Sequence, residues 1–227
     1  MSKTAIITGA LGNLGMATTE AFVAHDFHVI GLDKLDRAAE AEGSPRVRYE
    51  GIDLSDAEAT HAQLQALAKD AGPIQAAVMI AGGFGMGSVV DTPIAEVRQM
   101  MALNFETAYN ATQALWPYMA NGGRFVYIGA KPALEPAAGQ GMAAYALSKS
   151  LVFRLAEMVN EAGKEAGLSA SVIVPSIIDT PPNREAMPQA NFEDWVRPEE
   201  IGEMIAYLCD EGGRAVRNTT LKMYGNS

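Results

Sequence analysis

A single cysteine, Cys209, in 227 residues excludes an internal disulfide and fits a reducing compartment. The histidines number three (His25, His28 and His61), and with that one thiol they form no cluster at metal-ligand spacing, so no metal site is expected. Positive charge is also scarce. Seventeen basic residues against 27 acidic ones leave a formal net charge of −10, which makes nucleic acid and anionic membrane surfaces poor partners. Long hydrophobic runs are missing too: the longest charge-free run, Ala71 to Val90, is interrupted by Pro73 and five glycines and does not read as a membrane helix. The chain opens Met1-Ser2-Lys3-Thr4 without a signal-peptide core, so the expected address is the cytoplasm. What remains is an ordinary globular composition, 48% apolar, in a length that suits one domain able to bury roughly 70–75% of its unfolded surface.

Short apolar runs alternate with longer amphipathic ones from end to end, the pattern of a parallel sheet with crossover helices. Strands are predicted at Lys3–Thr8, Phe27–Leu32, Arg46–Glu50, Ile74–Ile80, Gly123–Gly129, Leu168–Pro175 and Asn218–Tyr224. They are continuously apolar, as strands covered on both faces should be. Leu14, Ala17, Ala21 and Phe22 keep a helical period after the first strand, and Ile201, Met204, Ile205 and Leu208 form an apolar stripe near the end. Val97, Met100 and Met101 start another helix, for which Thr92-Pro93 reads as N-cap and first-turn proline. The expected fold is α/β: a single-domain Rossmann fold over 1–227, with a seven-stranded parallel sheet and helices on both faces. The Pro-rich stretch Pro175–Pro198 exceeds the usual connection in length and predicts a lid at about 181–198, with at most a short helical turn between its prolines.

The first strand runs into Thr8-Gly9-Ala10-Leu11-Gly12-Asn13-Leu14-Gly15, which opens the first helix. Glycines at 9, 12 and 15 permit a tight turn, close backbone approach to a pyrophosphate and close helix–strand packing, while the helix N-terminus offers free N–H groups to the anion. In an acidic protein, attraction for a dinucleotide has to come from such local dipoles. Asp33 ends the second strand, where its carboxylate would accept from ribose hydroxyls or cap a helix. A 2′-phosphate there would meet like charge, at a cost of roughly 1–4 kcal/mol, which Lys34 and Arg37 would partly offset. The cofactor expected is therefore NAD(H), with NADP(H) admitted. Asp53-Leu54 follows the third strand within reach of an adenine edge; equally, Asp53 or Ser55 would cap the next helix.

Tyr145-Ala146-Leu147-Ser148-Lys149 lies in a helical pattern whose spacing of four puts phenol and ammonium on one face. A cation beside a phenol favours phenolate, which would make Tyr145 an acid–base at neutral pH. The glycine loop, the Tyr-x-x-x-Lys pair and the length together resemble the short-chain dehydrogenase/reductase family over essentially the whole chain. That resemblance implies that Tyr145 transfers the proton, that Lys149 holds the nicotinamide ribose and lowers the Tyr145 pKa, and that Asn104 maintains a water path to Lys149. It further places Ala81, Gly82, Gly83 and Pro175 beside the cofactor, with Thr180 toward the nicotinamide amide or phosphates. A homodimer or homotetramer is implied as well, supported by apolar residues on more than one face of Ala143 to Val159, among them Leu147 and Met158.

Three departures narrow the resemblance. The glycine spacing is three throughout, the usual asparagine before Ala81-Gly82 is missing, and Ala130 stands where the family usually carries its catalytic serine. No serine or threonine occurs between Gly129 and Tyr145. Gly129-Ala130-Lys131, Ala81-Gly82-Gly83-Phe84 and the long motif from Asp179 to Trp195 resemble the dihydropteridine reductase branch, which also lacks the serine, prefers NADH and reduces quinonoid dihydropterin. On that resemblance Phe84, Ala130, Gln140, Asn183, Met187 and Trp195 would surround a flat acceptor. The function expected is hydride transfer between nicotinamide and a carbonyl or imine of a small molecule; the competing class is a redox-sensing module that holds NAD(P) without turnover.

Overall fold

The computed structural model describes residues 3–227. Seven strands form one parallel sheet: β1 (Lys3–Thr8), β2 (Phe27–Asp33), β3 (Val47–Gly51), β4 (Ile74–Met79), β5 (Met119–Ile128), β6 (Ser169–Pro175) and β7 (Thr219–Met223). Their order across the sheet is β3-β2-β1-β4-β5-β6-β7. Sequence order therefore reverses between β1 and β4, and a crevice opens outside the carboxyl ends of those two strands.

The strands are apolar on both sides because both sides are covered. Ile6, Ala77, Phe125 and Val172 belong to one core layer, whereas their chain neighbours Ile7, Val78, Val126 and Ile173 belong to the other. The first layer is closed by α3 (Ala57–Ala71), α5 (Thr107–Leu115) and α7 (Ala143–Ala162), and the second by α1 (Asn13–Ala24) and α9 (Pro198–Cys209). The expected stripes on α1 and α9 are the buried ones: Leu14, Ala17, Ala21 and Phe22 on the first, Ile201, Ile205 and Leu208 on the second. The two helices meet closely at Gly202, where a Cβ would stand 2.8 Å from the Ala17 carbonyl oxygen.

Shorter elements complete the chain: α2 (Leu35–Glu40), α4 (Ile94–Met101), α6 (Lys131–Leu134) and α8 (Pro181–Ala186). Several boundaries differ from the sequence expectation for local reasons. Pro93 is the N-cap residue of α4 and not its first-turn residue, because the Thr92 hydroxyl is spent on the Ser88 carbonyl at 2.7 Å. β5 begins at Met119 instead of Gly123, with a register shift against Ile74/Ala76 and Gly122 at φ +79°. Between α4 and α5 the chain does not break; it widens into one π-helical turn, Ala102–Glu106, of the kind often found at functional sites. The segment after β6 is more ordered than its prolines suggest, since Pro181 and Pro182 open α8 and Phe192–Asp194 form a 3₁₀ turn.

Candidate active site

The glycine loop folds as a tight turn pressed against two strands. Gly9 has φ +66°, and Gly12 N–H donates to its carbonyl at 3.1 Å. A Cβ on Gly15 would sit 2.1 Å from the Gly9 oxygen, so only glycine lets α1 start this close to β1. Thr8 Oγ1 accepts from both Ile80 N and Ala81 N at 3.0 Å, which holds the exits of β1 and β4 side by side. No side chain caps α1, whose N-cap residue is Gly12. Its first N–H groups are left facing the crevice, the arrangement that suits a pyrophosphate.

Asp33 is buried and braced. Its carboxylate accepts from Leu11 N and Lys34 N, each at 2.9 Å, and stands 3.5 Å from the Arg37 guanidinium, which also donates to the Leu11 carbonyl. One carboxylate thus holds the glycine loop and faces the crevice. Asp53 does not cap the next helix: it accepts from the Ser55 N–H and hydroxyl, and Asp56 caps α3 through Ala59 N. Asn110, unremarked in the sequence, donates to the Leu54 carbonyl at 3.1 Å and fixes that turn from α5.

A cavity of about 740 Å³ runs from this region to α7. Of the expected cofactor residues, Gly9, Gly12, Asn13, Leu14, Gly15, Asp33, Asp53 and Leu54 line one end, and Ala81, Gly82, Gly83, Lys149 and Thr180 the other. Asn104, Phe84 and Asn183 join the second group; Lys34 and Arg37, expected to offset charge at a 2′-phosphate, and Ser55, expected as an alternative helix cap, also line the cavity, as does Thr107, which carries no signal in the sequence. Leu11, Pro175, Ala130, Gln140, Met187, Trp195 and Tyr145 lie outside its walls. Leu11 is turned to Asp33, Pro175 and Ala130 are buried in and after their strands, and Gln140 is exposed.

Asn104 sits at the centre of the π turn, 1% exposed. Its Oδ1 accepts from Gly83 N at 2.9 Å, and Nδ2 donates to the Gly83 carbonyl at 3.0 Å and to Ser148 Oγ at 3.1 Å. Lys149 Nζ donates to the Ile128 carbonyl at 2.9 Å, which ties α7 to the end of β5. Tyr145 lies one turn earlier with Phe84 edge-on to its ring, centroids 5.1 Å apart. The expectation that Lys149 lowers the Tyr145 pKa is not met in the free protein. Burial pushes the phenol up to about 12 and the lysine down to about 8. The reason is that desolvation disfavours both charged forms, and no attraction between the two groups offsets it.

The long motif after β6 is a self-braced loop. Its neck is closed by Asp179 N to the Val196 carbonyl (2.8 Å) and Val196 N to the Ile177 carbonyl (3.0 Å). Arg184 makes a bidentate pair with Asp179 at 2.6 and 2.7 Å and lies 4.8 Å over the Phe192 ring, which in turn packs on Trp195. Trp195 is therefore a core residue, 6% exposed, rather than a wall of the acceptor pocket. Asn183 does reach the cavity, held by its donation to the Ile178 carbonyl at 2.8 Å.

Comparison with known proteins agrees with this fold. A family model described as short chain dehydrogenase matches residues 3–191. A dihydropteridine reductase from Dictyostelium discoideum is 27% identical over 208 residues, covering 90% of this chain and 87% of that one. A 2-(R)-hydroxypropyl-CoM dehydrogenase from Xanthobacter autotrophicus is also 27% identical, covering 99% and 98%. Among solved structures, a short-chain dehydrogenase/reductase from Serratia marcescens superposes with a TM-score of 0.86 at 23% identity, over 100% of this chain and 98% of that one. Among the described residues, no helix is long and apolar enough to cross a membrane.

The depressed Lys149 pKa has a sign that can be measured. Unfolded, the lysine keeps its proton to the ordinary 10.5, so between about pH 8 and that value the unfolded state binds more protons than the folded one. Stability contributed at this position accordingly rises with pH through that window. The urea midpoint of the wild type should climb relative to that of Lys149→Met from about pH 8 to about pH 10. Parallel pH curves for the two proteins would contradict a depressed pKa.

Proposed function

The chain belongs to the short chain dehydrogenase family, NAD(P)-dependent oxidoreductases of small molecules, and from this premise we propose that it reduces a flat, conjugated imine or carbonyl compound, preferring NADH. A quinonoid dihydropterin is the first candidate acceptor. The observation that carries the reading is one continuous cavity with an uncapped helix N-terminus and Asp33 at one end and Lys149 with Asn104 at the other. These residues fit a dinucleotide: α1 for the pyrophosphate, Asp33 for the adenosine ribose, Lys149 for the ribose next to the reacting ring. When bound, the nicotinamide supplies the hydride.

Tyr145 supplies the proton. With its pKa pushed up to about 12 the phenol is protonated at neutral pH, which suits a donor and hence the reductive direction. Lys149, held by Ile128, adds positive charge beside the acceptor oxygen or nitrogen as electron density arrives there. Ala130, 3% exposed at the end of β5, offers no hydroxyl to polarise the acceptor. A conjugated ring needs less of that help than an isolated ketone, and this, with the name of the Dictyostelium relative, favours a pterin over a hydroxyl-bearing chain such as that named for the Xanthobacter relative. Phe84, 61% exposed beside Tyr145, gives the flat ring a surface to stack on.

A symmetric dimer completes the proposal. Leu147 and Met158 on α7 are 55% and 64% exposed, and Tyr109 on α5 is 44% exposed, apolar area that a second copy would cover. Light scattering at micromolar concentration should give twice the mass of 24.1 kDa; a single-chain mass removes the dimer.

Loss of NADH absorbance is the direct assay, run with dihydropterin, quinone and ketone acceptors. Tyr145→Phe should lose at least about a hundredfold in kcat while still binding the dinucleotide. Binding by the wild type without turnover of any acceptor would point instead to a sensor, and a Phe variant at near wild-type rate would remove Tyr145 from the chemistry.

Cofactor choice is read separately. Wild type should show higher kcat/KM with NADH than with NADPH, and Asp33→Ser should narrow or reverse that ratio, with Arg37 released to meet a 2′-phosphate. Because Asp33 also holds Leu11 N, the same variant should raise KM for both dinucleotides. A wild type that already prefers NADPH would overturn the assignment.

A further inference from the structure

Ser148 is fully buried on α7, three residues after Tyr145 and one before Lys149, and its hydroxyl is engaged twice. It donates to the Tyr145 carbonyl at 2.8 Å and receives Asn104 Nδ2 at 3.1 Å. A hydroxyl has one proton to give, so with that proton on the carbonyl it meets Asn104 only as an acceptor. Asn104 in turn has two N–H donors, taken by the Gly83 carbonyl and Ser148, with the Met100 sulfur a weaker acceptor at 3.9 Å. Its oxygen accepts once, from Gly83 N, and keeps one lone pair.

The place of that oxygen is set by a glycine. A Cβ on Gly82 would stand 2.5 Å from Asn104 Oδ1 and 3.4 Å from Lys149 Nζ, so both atoms border the small space that Gly82 leaves clear. Were the amide turned over, its oxygen would face the Ser148 oxygen with no proton between them. Its NH₂ would then face the Gly83 N–H. Both contacts would be repulsive at a side chain only 1% exposed.

We infer that Ser148 is a positioning residue for proton transfer: by accepting from Asn104, whose amide Gly83 orients, it fastens the π turn, and with it the oxygen beside Lys149, to the helix that carries Tyr145 and Lys149. The inference rests on the reading of Tyr145 and Lys149 as the reacting pair. It adds a demand that neither residue shows alone, namely that the π turn and α7 keep a fixed separation. Truncation to alanine removes the hydrogen bond that ties Asn104 to α7: the amide keeps its two bonds to Gly83, one Nδ2 proton is left with only the Met100 sulfur at 3.9 Å, and the π turn loses its fastening to the helix.

The experiment is steady-state kinetics of the full chain with NADH and whichever acceptor of the panel the wild type reduces. Ser148→Ala should lose about tenfold in kcat, with KM for NADH changed by less than about twofold, because the dinucleotide's own contacts are untouched. Ser148→Thr, which restores the acceptor oxygen, should recover most of the rate. Ser148→Ala combined with Asn104→Ala should be no slower than Asn104→Ala alone, since the serine acts through the amide. If the alanine variant does not fold, Ser148→Cys keeps the volume while accepting weakly and takes its place. Wild-type kcat in Ser148→Ala, or losses that multiply in the double variant, overturn the inference. A Tyr145→Phe enzyme at wild-type rate, or a wild type that reduces no acceptor, overturns the underlying reading; inactive Tyr145→Phe beside fully active Ser148→Ala overturns the role of Ser148 alone.

Discussion

The first turn of α1 is pressed against the loop that leaves β1. With space for no atom beyond Cα at Gly15, the helix axis is drawn in until its N-terminus points into the crevice between β1 and β4. The position of that crevice is in turn a property of the sheet, because sequence order reverses there and the two strand exits diverge to opposite sides. Thr8 resists the divergence by taking both Ile80 and Ala81 N–H groups on one oxygen. The Ala81-Gly82-Gly83 segment is thereby brought under the glycine loop, and Asn104 can grip Gly83 from the far side. The proposed dinucleotide cleft and the proposed proton-transfer site are therefore parts of one packing arrangement and cannot be moved independently.

Burial and polarity are in tension at the α7 end. Placing an ammonium and a phenol where water is thin disfavours charge on both, and among the described residues no carboxylate stands beside either to compensate. The chain meets this with carbonyls: Ile128 for Lys149, Gly83 for Asn104 and Tyr145 for Ser148. Carbonyl dipoles hold a cation without neutralising it, which keeps the positive charge available to whatever enters the cavity.

Much of this was legible in the sequence wherever the signal was local. The glycine spacing, the position of Asp33, the strand runs and the stripe from Ile201 to Leu208 each depend on neighbours within a few residues. Features that depend on distant partners were not. A π turn leaves no mark in a 3.6-residue period beyond a buried asparagine, so the grip of Asn104 on Gly83 needed the fold. Spacing of four in Tyr145 and Lys149 predicted a shared face and was silent on desolvation, which decides the sign of both pKa shifts. Trp195 read as a pocket wall because a large aromatic in a Pro-rich stretch carries no indication of which side it faces; in the fold it packs on Phe192 and is buried. Asp53 and Asp56 are equally good cap residues by type, and only the path of the backbone chooses between them.

The loop from Asp179 to Val196 is closed at its neck by backbone hydrogen bonds and cross-linked inside by its own arginine and aromatic residues. Such a loop is an interchangeable cassette. Its interior can lengthen, shorten or change chemistry between about 185 and 191 while the neck keeps Thr180 and Asn183 in register with the cavity. None of the residues from 185 to 191 lines the cavity, so change confined to that stretch leaves undisturbed the walls proposed to hold the dinucleotide.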